Sequence, residues 1–297
     1  MTQEDMPQPQ IKREIYDLFD EYVHSSMSRQ DFVKRLIVYA PLGMSAAALA
    51  DFLLPKYAQA TQVAPTDARV QSGFLEYTSA KGAGRMKALL ARPAKSKEKR
   101  PGVIVVHENR GLNPYIEDVA RRLALADFIA LAPDALTPLG GYPGNDDEGK
   151  VLQSKRKSEE MLADFIAAFD YLKTQPECTG KVGVVGFCFG GGIANQMAVR
   201  LPDLAAAVPF YGSQAPAEDV SRIHAPLLLH FAEKDERITA GWPAYEAALK
   251  EHHKAYTAFI YPGVMHGFHN DTTPRYDAAA ATLAWERTLA FFKEKLD

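Results

Sequence analysis

From Val70 onward the apolar residues fall into short runs separated by longer stretches in which they recur every three or four positions. The short runs, at residues 102–107, 128–132, 181–185, 205–210, 226–231 and 256–261, are too brief for helices and rich in Val, Ile, Leu and Phe, so they predict strands. The periodic stretches at 116–126, 158–174, 191–201, 242–253 and 276–295 predict amphipathic helices. Residues 70–78 and 85–92 flank Lys81-Gly-Ala-Gly84 and read as a β-hairpin, and 95–100 as a charged surface loop. Strand and helix alternating in this way predict an α/β fold with a mainly parallel central sheet flanked by helices. Reactive residues of such folds sit past the C-terminal ends of the strands.

One of these strands runs into Lys181-Val-Gly-Val-Val-Gly-Phe-Cys-Phe-Gly-Gly-Gly192. Gly186-Phe187-Cys188-Phe189-Gly190 is the Gly-x-nucleophile-x-Gly pattern of a strand-to-helix nucleophile elbow, with Cys in place of the usual Ser. The turn forces the central residue into a strained conformation, and glycines on either side let strand and helix approach. The thiol then stands over a helix N-terminus, whose partial positive charge favours thiolate. The plain alternative is a Gly-rich turn that holds a buried Cys.

The first sixty residues follow another pattern. Ile11, Ile15, Leu18, Phe19, Tyr22 and Val23 share one helical face, and Ser28 is placed to cap a second helix. An apolar run over 36–54 is interrupted by Pro41, Gly43, Ser45 and Asp51 and ends near Ala58-Gln59-Ala60. Two readings compete. Residues 1–62 form a helical extension that docks on the remainder, 63–297, or on a partner subunit. Alternatively, Ser28-Arg-Gln-Asp-Phe32 is a degenerate twin-arginine-like export signal with one arginine replaced by Gln30. Docking is the expectation, with a cytoplasmic protein; export to the periplasm is the alternative. Pro41 and Asp51 count against a membrane span.

Composition narrows the partners. The 297 residues carry a net charge of −3, which gives no reason to expect nucleic acid. Two cysteines, Cys178 and Cys188, exclude a disulfide framework and make a reducing compartment the default.

A cysteine nucleophile needs a base, and the base an orienting acid. Asp235, in a charged loop after the strand at 226–231, is the chosen acid, with Glu233 and Glu236 as rivals. His266, in Tyr261-Pro-Gly-Val-Met-His-Gly-Phe268, is the chosen base; His269, His252, His253, His230 and His224 compete. The chain order nucleophile, acid, His is that of the α/β-hydrolase fold. His266, His269 and Asp271 could in principle hold a metal, but no second cluster supports that reading. Glu108 follows the strand at 102–107 and reaches the same sheet edge, where a carboxylate can accept a hydrogen bond from a thiol or oppose its ionisation. The N–H groups of Asn109 and Phe189 are the candidate oxyanion donors.

Taken together, Gly186-Phe-Cys-Phe-Gly-Gly191, Asp235, Pro262-Gly-Val-Met-His266 and Glu108 resemble the dienelactone hydrolase family over residues 70–296. The N-terminal extension, Val106-His-Glu-Asn-Arg-Gly-Leu-Asn-Pro-Tyr-Ile116 and Gly140-Gly-Tyr-Pro-Gly-Asn-Asp146 resemble one bacterial subgroup. The resemblance implies a Cys–His–Asp triad that opens ester or lactone bonds through an acyl-cysteine without a cofactor. It further implies that Glu108 holds the resting thiol until substrate binds. Members acting on dienelactone carry an arginine four residues after the histidine, where this chain has Asn270. Arg110, Asn270 and Tyr142 are the substrate-binding candidates, and Arg275 is, with Arg110, a candidate to replace the missing arginine. The expected partner is a small ester or lactone, with no membrane, and a homo-oligomer built through the N-terminal helices. A non-hydrolytic thiol sensor or ligand-binding protein on the same fold is the alternative. Cys178, expected at the far end of the elbow strand, is poorly placed for it.

Overall fold

The computed structural model describes residues 11–40, 44–95 and 98–297. Pro41 and Gly43, invoked above as breaks in the apolar run, lie outside the described residues. The chain divides into two compact units, Met1–Pro55 and Lys56–Asp297.

In the first unit, helices α1 (Arg13–His24), α2 (Arg29–Leu36) and α3 (Ala46–Leu53) converge on one small core. Ile15, Leu18, Phe19, Tyr22 and Val23 recur at helical spacing and are all buried, while Ile11 packs partly buried beside them. Tyr22 stacks on Phe32 of α2 with centroids 4.4 Å apart. Ser28 caps α2 by accepting from the Asp31 N–H at 3.1 Å, and Ser45 caps α3 in the same way. No helix among the described residues is long and apolar enough to cross a membrane.

The second unit begins with the single turn α4 (Tyr57–Ala60) and is organised by one eight-stranded sheet. Its strands are β1 (Val70–Ser79), β2 (Gly84–Pro93), β3 (Arg100–Val106), β4 (Ile129–Pro133), β5 (Cys178–Phe187), β6 (Ala206–Phe210), β7 (Leu227–Ala232) and β8 (Tyr256–Tyr261), in the spatial order β1-β2-β4-β3-β5-β6-β7-β8. β1 and β2 form the expected antiparallel hairpin, β2 runs antiparallel to β4, and every later pairing is parallel. Parallel strands with both faces covered need not alternate in polarity. Residues 103–106 of β3 are accordingly all apolar and fully buried.

The period of two along a strand still sorts these residues by face. Ile104, Val106, Val182 and Val184 face one apolar layer with α7 (Ser158–Lys173), α8 (Phe189–Arg200) and α10 (Trp242–Glu251). Val103, Val105, Val185 and Phe187 face the other, with α5 (Pro114–Leu125) and α11 (Ala278–Leu296). This is a mixed α/β fold with the α/β-hydrolase strand order, and it brings the loops after β3, β5, β7 and β8 to one edge.

Two short helices complete it: α6 (Asp146–Ser154) and α9 (Glu236–Thr239). The sequence reading assigns no helix at α6. Its apolar content is low and Gly149 interrupts it, so periodicity is silent there. The end signal is nevertheless present, because Asn145 accepts from the Glu148 N–H at 2.9 Å with acids filling the first turn.

Candidate active site

β5 ends at Phe187 and α8 starts at Phe189, leaving Cys188 alone in the turn with φ +54° and ψ −114°. That conformation is costly for a residue with a Cβ and persists only where its surroundings hold it. Two contacts do so here. The Cys188 N–H donates to the Phe210 carbonyl at 3.0 Å, and the Gly191 N–H returns to the Cys188 carbonyl at the same distance. A Cβ on Gly186 would collide with the Gly190 carbonyl, and one on Gly190 with the carbonyls of Val106 and His107. The elbow is therefore in backbone contact with the end of β3 because both flanking positions are glycine. Cys178 opens β5, so the two cysteines stand at opposite ends of one strand.

Beyond β7 the chain turns back on itself, with the Asp235 N–H donating to Ala232 O at 3.2 Å. This tucks the Asp235 carboxylate inward. Its Oδ2 lies 2.5 Å from His266 Nδ1, and both side chains are buried. A His266 ring nitrogen lies within 4.8 Å of Cys188 Sγ, and the Tyr211 ring meets the imidazole edge-on, centroids 4.9 Å apart. Burial opposes a charge on His266. The neighbouring Cys188 sulfur and the bond to Asp235 outweigh it and push the imidazole up to about 10.

The rivals are occupied elsewhere or exposed. Glu233 accepts from the Gly263 N–H at 2.7 Å and so braces the His266 loop, while Glu236 faces solvent. His269 bonds to the Tyr115 hydroxyl at 2.6 Å, and burial drives it down to about 3. His230 sits between the Tyr261 and Thr288 hydroxyls, and His224, His252 and His253 are exposed. Asp271, weighed as a metal ligand, is bonded to Arg122 and Gln62.

Glu108 follows β3 and is half-buried, its Oε2 accepting from Asn270 Nδ2 at 3.0 Å. Burial and the Cys188 sulfur raise its pKa, against the pull of Arg275, His266 and Arg110. Asn109 comes next in the same turn, and Phe189 opens α8 on the other side of the elbow.

All three substrate-binding candidates have hydrogen-bond partners within the chain. Asn270 holds Glu108, and its side-chain Oδ1 accepts from Thr272 N and Oγ1 at 3.1 and 2.6 Å. Arg110 donates to the Asp146 carbonyl at 3.0 Å and lies 3.6 Å from its carboxylate. Tyr142 donates to the same carboxylate at 2.9 Å. Asp146, which the sequence offered only as the end of the Gly140–Asp146 motif, also takes the Tyr57 hydroxyl at 2.8 Å. α6 then braces the turn after Glu108, since Gly111 N–H donates to Gln153 Oε1 at 3.0 Å and a Cβ on Gly149 would strike the Arg110 carbonyl.

Comparison with known proteins fits this geometry. Residues 86–296 match the model of the dienelactone hydrolase family, and residues 1–38 match a model described as YqhI-like. YghX of Escherichia coli, named for a hydrolase fragment, is 57% identical over 38% of this chain and 96% of its own length. A Saccharolobus solfataricus protein assigned as a carboxymethylenebutenolidase is 33% identical, covering 70% of this chain and 94% of that one. Among solved structures, one from Klebsiella pneumoniae assigned as a dienelactone hydrolase superposes with a TM-score of 0.67 at 28% identity, over 76% of this chain and 99% of the other. The dienelactone hydrolase-like promiscuous phosphotriesterase P91 superposes with a TM-score of 0.64 at 25% identity, over 77% and 100%.

Proposed function

This chain belongs to the dienelactone hydrolase family and is a hydrolase of ester or lactone bonds; we propose that it works through an acyl-cysteine on Cys188, with His266 and Asp235 completing a triad. The observation that carries the reading is the 2.5 Å bond from His266 to Asp235 beside a cysteine held at φ +54° in a strand-to-helix turn. In this reading His266 takes the thiol proton, and the sulfur attacks the carbonyl carbon to form a C–S bond. The carbonyl oxygen becomes an oxyanion, held by the N–H groups of Phe189 and Asn109, each worth about 3–4 kcal/mol of barrier. As the intermediate collapses, the C–O bond breaks and His266 returns the proton to the departing alkoxide. Water, activated by the same imidazole, then releases the acid and restores the thiol. Asp235 fixes the tautomer and stabilises the imidazolium that forms in each half.

Against burial, the Cys188 sulfur and the bond to Asp235 raise the imidazole to about 10, which suits a base able to take the thiol proton. Glu108 is the proposed holder of the resting thiol. Its raised pKa and its bond to Asn270 suit a carboxyl group that exchanges between sulfur and its neighbours. The test is a panel of neutral and carboxylated esters and lactones assayed with wild type and Cys188→Ala. Loss of turnover in the variant, with its fold intact by circular dichroism, is expected. Turnover retained by Cys188→Ala would remove the acyl-cysteine.

A further inference from the structure

His107 is fully buried one residue before Glu108, and the chemistry above makes no use of it. Its Nε2 accepts the Ala135 N–H at 3.1 Å. A backbone N–H can only donate, so this nitrogen is unprotonated and the ring proton sits on Nδ1. Nδ1 lies 2.6 Å from the Glu108 carbonyl oxygen and therefore donates to it. Burial keeps the imidazole neutral by lowering its pKa, against the opposing effect of Asp134. The ring is gripped from two sides, edge-on by Phe165 at 5.7 Å and stacked by Phe189 at 6.3 Å with planes 23° apart.

The Glu108 carbonyl and the Asn109 N–H belong to one planar trans peptide, in which the two groups point in opposite directions. A bond that fixes the carbonyl therefore fixes the direction of the N–H. We propose that His107 is a positioning residue for the oxyanion hole: its Nδ1–H sets the Glu108–Asn109 peptide plane, and its ring registers that plane against Phe189, which supplies the second donor. The proposal rests on the acyl-cysteine reading. It assigns to a neutral, non-reacting imidazole the geometry in which that chemistry gains its electrostatic stabilisation.

The experiment compares wild type, His107→Leu, His107→Asn and Cys188→Ala on one neutral ester. It also measures the rate at which iodoacetamide alkylates Cys188, a displacement at carbon that forms no tetrahedral oxyanion. Leu fills the space but makes neither bond, whereas Asn places an N–H close to where Nδ1 stands. His107→Leu is expected to lower kcat about 30- to 100-fold with KM within about twofold of wild type, because a misdirected donor is lost only in the transition state. Alkylation should stay within about threefold of wild type, and His107→Asn should recover kcat to within about fivefold. A His107→Leu variant with kcat within about threefold of wild type overturns the proposal. So does slowed alkylation in step with kcat, or failure of Asn to recover activity, since either marks a structural role only. Failure of the acyl-cysteine reading is seen separately, as activity in Cys188→Ala, and it would take this proposal with it.

Discussion

Asp235 and Asp146 are both buried carboxylates gripped by hydrogen bonds at the same edge of the sheet, and only one of them has a partner that can move a proton. Asp146 is surrounded by the hydroxyls of Tyr57 and Tyr142 and the guanidinium of Arg110. Burial raises both hydroxyls and keeps them protonated, so the cluster is a fixed joint between α4, the loop before α6 and the turn after β3. Asp235 instead faces an imidazole, a side chain that can both take up and release a proton. Burial and bonding of a carboxylate do not by themselves mark chemistry. What its partner can do with a proton does.

The comparison breaks most visibly in turnover. Cys188→Ala and His266→Ala are expected to lower kcat/KM by about a thousandfold or more, and Asp235→Asn by about a hundred- to ten-thousandfold, with little change in melting temperature for Cys188→Ala and Asp235→Asn. Steady-state kinetics on a neutral lactone, with a thermal melt of each variant, check this. An Asp235→Asn enzyme within about tenfold of wild type would dismiss Asp235 from its role.

The same pair carries a pH signature. His266 is raised to about 10 from its ordinary 6.5, so the stability it contributes is present in full below about 6.5 and is lost as pH rises through about 10. Chemical denaturation of wild type and His266→Ala should therefore show the largest gap near pH 6, closing towards pH 10. A gap that widens with pH would contradict the sign.

Asp146→Ala should do the reverse of Asp235→Asn. It strands Arg110 and two hydroxyls in a buried site, so a loss of about 3–5 kcal/mol is expected in a urea titration, with a smaller effect on kcat. If the variant melts with wild type, the joint is ornamental. Tyr57→Phe removes one of its bonds and should cost about 1 kcal/mol.

Asn270 sharpens the contrast from the substrate side. Its amide joins Glu108 to Thr272 in a buried slot, so Asn270→Arg is expected to destabilise by about 1–3 kcal/mol rather than create an anion site. The ratio of kcat/KM for a carboxylated lactone and its neutral analogue should not rise in the variant. A tenfold rise would restore Asn270 as the specificity position.

The sequence by itself determined the elements whose causes are local. Alternating short apolar runs and amphipathic stretches specified the sheet and its flanking helices. Two glycines around Cys188 specified the elbow, because the steric demand of that turn acts within five residues. Periodicity alone also selected the face of α1 that is buried. It could rank Asp235 and His266 among their rivals only by chain order, and it said nothing of who their neighbours would be. Those were decided by tertiary structure. Asn270 meets Glu108 from 162 residues away, and Tyr57 meets Asp146 from 89. Asn270 and Tyr142, with Arg110, read as groups for a ligand because their types suit one. Folding brought carboxylates of the chain to them first, and a partner that arrives through the closing of a sheet leaves no period or spacing in the sequence that precedes it.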